Sequence, residues 1–209
     1  MILTRAEIAW AAARDPYQHH RAIWRLFPGE PEEPRRGRGE PRQGFLFRVE
    51  DNRPGRPARI LIQSRRPPAP AQGVALMGTR EIWPQPSKGQ RLAFLLTANP
   101  VKTVRDSQVE QKPWKNRPVC RVPLIREDEQ RAWLRRKLEG AAEIEAVTLL
   151  PHPPLFFRRG GRAGKIATLT FEGLLRVQDP EALVTLLENG VGPAKAFGCG
   201  LLLVRRAAT

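Results

Sequence analysis

Residues 190–202 read GVGPAKAFGCGLL, and the way this stretch is flanked decides between fold classes. A glycine-dense loop first suggests a nucleotide site, but dinucleotide and Walker loops follow a strand and open a helix. Here the order is reversed. Upstream, Asp179-Pro180 sets an N-cap residue before a proline at the first helical position, opening a helix to about Glu188. Downstream, Leu201–Val204 is apolar and reads as a strand. The order G-x-x-x-x-G-K-[ST] is missing too. The loop joins a helix to a strand, which sets aside a nucleotide-binding α/β unit. A helix stop accounts for Gly190. Gly192, Gly198 and Gly200 let the backbone approach another backbone or a phosphate chain, with Lys195 adding charge.

Working outward, the Asp-Pro device occurs a second time at Asp15-Pro16, predicting a helix from Pro16 to about Phe27 that Pro28-Gly29 stops. Before it, Met1–Ile8 has the apolar content of a strand, although its alternation is imperfect. After it come alternating strands at Phe45–Glu50 and Arg59–Ser64, a Pro- and Ala-rich stretch at 65–80 that reads as neither, and a buried strand at Arg91–Ala98. Residues 28–43, PGEPEEPRRGRGEPRQ, carry Pro, Gly and charge without periodicity and read as a surface loop. The second half repeats the element types. A helix is expected at Glu127–Glu139, strands at about Ile144–Leu149, Leu155–Phe157, Lys165–Phe171 and Leu174–Val177, then the Asp179 helix and the last strand. This order predicts an α+β chain of two tandem ferredoxin-like (RRM-like) domains. The expected division is 1–100, a basic connector at 101–123, and 124–209.

The charge narrows the partners. Thirty-six Lys and Arg against 21 Asp and Glu leave a net charge of +15, which attracts polyanions in a salt-sensitive way. No run approaches the roughly 18 apolar residues of a membrane span, and Arg5 and Glu7 interrupt any leader-like stretch. A cytoplasmic nucleic-acid-binding protein is expected, with no membrane association. Cys120 and Cys199 fit neither zinc spacing nor a disulfide framework and read as buried or half-buried thiols. His19 and His20 are neighbours whose side chains point about 100° apart on a helix. With His152 isolated, no metal ligand set forms, and neither a metal nor a small-molecule cofactor is expected.

On the Pro16 helix, spacings of three and four bring Tyr17, His20, Arg21 and Trp24 onto one face. By pattern alone that face is core, and His20 a satisfied neighbour of it. Residues 158–165, RRGGRAGK, read as the tip of a basic β-hairpin. The helix with Arg131, Arg135, Arg136 and Lys137 offers a second basic surface, diluted by Glu127, Asp128, Glu129 and Glu139.

A set of ordered blocks carries more. GVGPAKAFGCGLL, RDPYQHHRAIWRLFP near the start, FLFRVE, LTANPVKT, CRVPLIREDEQRAWLRRKL and GKIATLTFEGLL together resemble the CasE family, the repeat-processing endoribonucleases of the type I-E Cascade complex. The resemblance covers most of the chain and is weak at 28–43 and 65–85. It implies a metal-independent endoribonuclease that binds the stem-loop of CRISPR repeat RNA and uses the RNA's own 2′-hydroxyl. It makes His20 catalytic and Tyr17 its assistant, with Arg21 and Arg25 placed to support charge at the phosphate. It assigns the RNA stem to Arg158, Arg159, Arg162 and Lys165 of the hairpin. Arg135, Arg136, Lys102 and Lys195 are further expected contacts. The implied partners are the repeat RNA, precursor and mature, and the other Cascade subunits. A non-cleaving hairpin-binding subunit and a basic structural protein such as a ribosomal component are the alternatives. RNA cleavage separates them.

Overall fold

The computed structural model describes residues 1–29, 44–105, 119–159 and 162–207. Most of the expected loop at 28–43, with Arg35, Arg36 and Arg38, lies outside them. Among the described residues, twelve strands and four α-helices run in the order β1 (Ile2–Ile8), α1 (Trp10–Ala13), α2 (Pro16–Trp24), β2 (Phe45–Asp51), β3 (Ala58–Ser64), β4 (Val74–Glu81), β5 (Arg91–Ala98), β6 (Val101–Arg105), β7 (Val119–Pro123), α3 (Glu127–Leu138), β8 (Ala142–Pro151), β9 (Leu155–Arg159), β10 (Arg162–Ile166), β11 (Leu169–Val177), α4 (Pro180–Asn189) and β12 (Leu202–Arg206).

Two four-stranded antiparallel sheets organise them, in the orders β2-β3-β1-β4 and β12-β5-β11-β8. Numbered within each half, both orders are fourth, first, third, second, the ferredoxin-like arrangement that the element order implied. The first core is made by the even-numbered side of β1 (Ala6, Ile8) with Phe45, Phe47, Ile60 and Ile62. Ile23, Leu26 and Phe27 close it from α2 and the turn after it. The second core sets Leu92, Phe94, Leu96 and Phe171 of the sheet against Trp133, Leu134, Leu138, Leu183 and Leu187 of α3 and α4. In each, an aromatic pair stacks across the layers: Phe27 on Phe45 at 5.3 Å and Trp133 on Phe171 at 6.1 Å.

The halves are joined by packing as well as by chain. Gln63 on β3 donates its side-chain N–H to the Leu187 carbonyl of α4 at 2.7 Å, and Leu46 on β2 lies against Gly190. Both Asp-Pro starts form as expected. Asp15 Oδ1 accepts the Tyr17 N–H at 2.8 Å, and Asp179 Oδ1 accepts from Glu181 at 2.9 Å and Ala182 at 3.1 Å.

Several expectations need correction. The strand Arg91–Ala98 pairs with β11 and β12, so it is the first strand of the second sheet, and the change of sheet falls between Glu81 and Arg91 rather than after residue 100. The stretch read as a connector holds a hairpin of its own, β6 against β7. The indecisive region contains β4, an edge strand whose one buried residue is Val74, too little to give an alternating signal. The expected strand Lys165–Phe171 is divided: Lys165 and Ile166 end β10, while Leu169–Phe171 continue through the expected Leu174–Val177 as the single strand β11. Gly173 in its middle is needed there, because a Cβ would stand 2.0 Å from the Ala146 carbonyl oxygen of β8, next to a register shift. α2 ends three residues early: Leu26 and Phe27 bond back three residues, to Ile23 and Trp24, in tighter turns. Cys199 is buried as expected, while Cys120 is exposed. No helix among the described residues is long and apolar enough to cross a membrane.

Candidate nucleic-acid interface

Three chain segments meet at the N-terminal end of α2: the helix itself, the hairpin β9–β10, and the glycine-rich loop with its short 3₁₀ turn at Lys195–Phe197. The contacts are specific. Phe197 lies 6.0 Å from the Tyr17 ring and 4.5 Å from Phe157 on β9, centroid to centroid. The Arg158 backbone N–H donates to Asp15 Oδ2 at 3.3 Å, using the oxygen that the helix cap leaves open.

His20 stands one turn after Tyr17, against Trp24 at 5.0 Å, Phe45 at 5.4 Å and Phe47 at 6.5 Å. Its residue exposure is 9%, compared with none for Ile23 of the same helix. Burial among apolar rings disfavours the charged imidazolium and lowers its pKa to about 4. The ring is neutral at physiological pH and can take a proton. His19 points elsewhere, as expected of its neighbour: its Nε2–H donates to the Ala13 carbonyl at 3.0 Å, and burial lowers its pKa against the pull of that bond and of Asp15. Half-buried Tyr17 and exposed Arg21 and Arg25 complete the helix face.

The hairpin presents Arg158 and Lys165 to solvent, and Arg159 and Arg162 are a cross-strand pair next to its tip. The Lys165 ammonium lies 5.8 Å from the Phe156 ring, itself exposed. Arg135 and Arg136 are exposed in the last turn of α3, where cations also complement the helix dipole. Lys102 is tied to Glu129 at 3.2 Å and Arg131 to Glu127 at 2.6 Å, so part of this second basic surface is internally paired.

The glycine loop behaves differently from a phosphate cradle. Its glycines admit protein atoms: a Cβ on Gly190 would stand 2.8 Å from Leu46 Cδ2, and one on Gly192 2.8 Å from the Trp133 ring. Gly200 meets backbone: Val191 N–H donates to Gly200 O at 2.8 Å, and Gly200 N–H to Thr97 O at 2.7 Å. A Cβ on Gly200 would stand 2.9 Å from the Val191 carbonyl oxygen, and one on Gly198 3.2 Å from the Phe47 ring. The Lys195 ammonium donates to the Asn189 carbonyl at 2.6 Å, at the C-terminal end of α4. In this structure that cation closes the loop instead of standing out from it.

His152 is not part of the cluster. Its Nε2 lies 2.7 Å from Thr170 Oγ1, which lies 2.8 Å from Thr97 Oγ1, on the second sheet. Burial first, and then the nearby Arg48 charge, lower its pKa. Among the described residues, no three His, Cys, Asp or Glu side chains group as metal ligands. Sequence reading passed over Asp15's second bond, Phe157 and Phe197. Periodicity assigns such residues to a cap, a strand and a loop, and the meeting of the three is a tertiary fact.

Two ferredoxin-like units, a basic surface and a histidine-bearing helix against a glycine-rich loop define the class as a basic double-ferredoxin protein. Residues 1–206 match the family model described as CRISPR associated protein, and the chain belongs to that family. It is 41% identical to the CRISPR system Cascade subunit CasE of Escherichia coli K12, over 97% of this chain and 98% of that one. The crystal structure of the CRISPR-associated protein Cas6e from E. coli K-12 superposes with a TM-score of 0.83, at 39% identity, covering 99% of this chain and all of that one. A structure of the CRISPR endoribonuclease Cse3 bound to a 19-nucleotide RNA gives 0.76 at 32% identity, over 98% of this chain and all of that one.

Proposed function

We propose that this protein is a cytoplasmic, metal-independent endoribonuclease that binds the stem-loop of CRISPR repeat RNA and cuts the precursor into mature guide RNA. It then keeps the product hairpin as a subunit of a Cascade complex. The observation that carries the reading is the placement of Tyr17 and His20, one helical turn apart, where the basic hairpin and the glycine loop close on α2, in a chain matched end to end by an RNA-bound endoribonuclease.

The chemistry follows from what the substrate brings. RNA carries its own nucleophile, so cleavage requires a proton acceptor at the 2′-hydroxyl, a donor at the departing 5′-oxygen, and cations around the phosphate. The neutral His20 imidazole is poised to take the 2′-hydroxyl proton. The Tyr17 hydroxyl is the hydrogen-bond donor one turn away, and Arg21 and Arg25 flank them with fixed charge. Attack by the 2′-oxygen on phosphorus breaks the bond to the 5′-oxygen, which takes a proton from the Tyr17 hydroxyl or from water, and leaves a 2′,3′-cyclic phosphate and a 5′-hydroxyl. An A-form stem hides its base edges in a deep groove, so Arg158, Arg159, Arg162 and Lys165 engage it mainly through phosphates and shape. Arg135 and Arg136 extend that track.

The test compares the organism's own repeat hairpin with a scrambled sequence of equal length. Cutting of the repeat alone, with a cyclic phosphate on the upstream product, is the expected result. Equal binding of both without cutting favours a structural RNA-binding protein.

A further inference from the structure

Asp15, Phe157 and Phe197 gather at the Tyr17 end of the proposed reacting pair without a role in the chemistry above. Asp15 divides its carboxylate between two elements, Oδ1 to the Tyr17 N–H and Oδ2 to the Arg158 N–H, so one side chain fastens the first turn of α2 to the hairpin. Above that joint the Phe197 ring stands between Tyr17 and Phe157. Its position is constrained from its own loop. Ala194 before the 3₁₀ turn and Gly198 after it both have left-handed backbone, at φ 62° and 79°, and Ala194 is the one described residue other than glycine with positive φ. A non-glycine residue stays there only where its surroundings fix it. Phe157 is fixed from the opposite side: a Cβ on Gly164 of β10 would stand 2.2 Å from its Cζ, so the ring lies flat on the facing strand where no side chain intervenes.

We infer that Phe197 is a positioning residue for RNA cleavage: wedged between Phe157 and Tyr17, its ring transmits the seating of the RNA stem on the β9–β10 hairpin to the Tyr17 side chain. This rests on the assignment of Tyr17 and the hairpin in the proposed function. The physical reason is geometric. The hairpin and α2 belong to different halves of the chain, and among the described residues the Asp15 bond and these rings both link them. A stem bound to β9–β10 pushes on Phe157, Phe157 on Phe197, and Phe197 on the phenol. Without the ring, Tyr17 keeps its helix but loses the wall that sets its χ angles.

The experiment is single-turnover cleavage and equilibrium binding of the repeat RNA by the full chain, Phe197→Ala, Phe197→Tyr, Tyr17→Phe and the Phe197→Ala/Tyr17→Phe double variant. Phe197→Ala is expected to cut about tenfold more slowly at saturating RNA, since small misplacements of reacting groups cost this much or more. Its Kd should move by less than about threefold, and Phe197→Tyr should restore most of the rate. In the Tyr17→Phe background, Phe197→Ala should cost less than about twofold, because the group it positions is gone. An unchanged rate in Phe197→Ala, a tenfold loss that persists in the Tyr17→Phe background, or binding lost in step with cutting would overturn the inference. A parent protein that binds the repeat and leaves it intact overturns the endoribonuclease reading and this inference with it. A parent that cuts beside a Phe197→Ala variant that cuts equally well overturns the inference alone.

Discussion

α2 and α4 begin alike and are filled differently. Both open on Asp-Pro, with the aspartate side chain accepting backbone N–H bonds and proline at the first position. Beyond the cap, α4 buries Leu183 and Leu187, whereas α2 buries His19 and His20 beside Ala22 and Ile23. A leucine gains by leaving water. An imidazole that leaves water gives up its charged form, and His20 is held down to about 4 by that burial. The first choice serves stability alone. The second puts a titratable group into an aromatic wall, a local inconsistency that proteins tend to retain at sites of function.

The largest effect expected is on activity in α2. His20→Ala should slow cleavage about 10²- to 10⁴-fold while RNA binding largely survives, measured under single turnover beside a binding isotherm. Leu183→Ala in α4 should do the reverse, lowering unfolding free energy by roughly 2–5 kcal/mol in denaturant titration while cleavage per folded molecule is retained. Equal activity losses from both would erase the distinction between the helices.

The pH dependence sharpens it. Because the folded pKa of His20 is lowered from 6.5, the unfolded chain binds the proton more tightly. The stability that comes from keeping the ring neutral is therefore whole above about 6.5 and is lost as pH falls toward about 4. The shift corresponds to on the order of 3 kcal/mol. A His20→Leu variant should lose less stability than the parent between pH 6.5 and 4.5 in urea titrations, and an identical acid limb would contradict the burial account. The smallest effects belong to the caps. Asp179→Ala should cost about 1 kcal/mol. Asp15→Ala should cost more by a few tenths to about 1 kcal/mol, since it also releases the Arg158 N–H.

How far the sequence could be read follows the same line. The Asp-Pro starts, the core strands and the glycine-dense loop announce themselves because cap chemistry and alternation are local. Tyr17 and His20 share a face by spacing alone, but the role proposed for them rests on resemblance to a family, since periodicity treats a buried histidine as core. β4, at one edge of the first sheet, is invisible in the sequence because Val74 is its one buried residue. Arg91–Ala98 is legible as a strand but its sheet is not, because a strand's own residues do not name its partners. The glycines of the loop signal a close approach of backbone or phosphate, and in the fold they admit backbone carbonyls together with Leu46 and Trp133. The row Tyr17–Phe197–Phe157 joins residues from three distant segments and exists only once the two halves are packed.

The central claim is that RNA supplies the nucleophile and the protein supplies proton transfer and charge. Its most direct test is cleavage of the repeat hairpin in EDTA beside the same RNA with a single 2′-deoxynucleotide at the cut site. Cutting of the first with no cutting of the second is the predicted result. Loss of cutting in EDTA, or cleavage of the deoxy-substituted RNA, would contradict it.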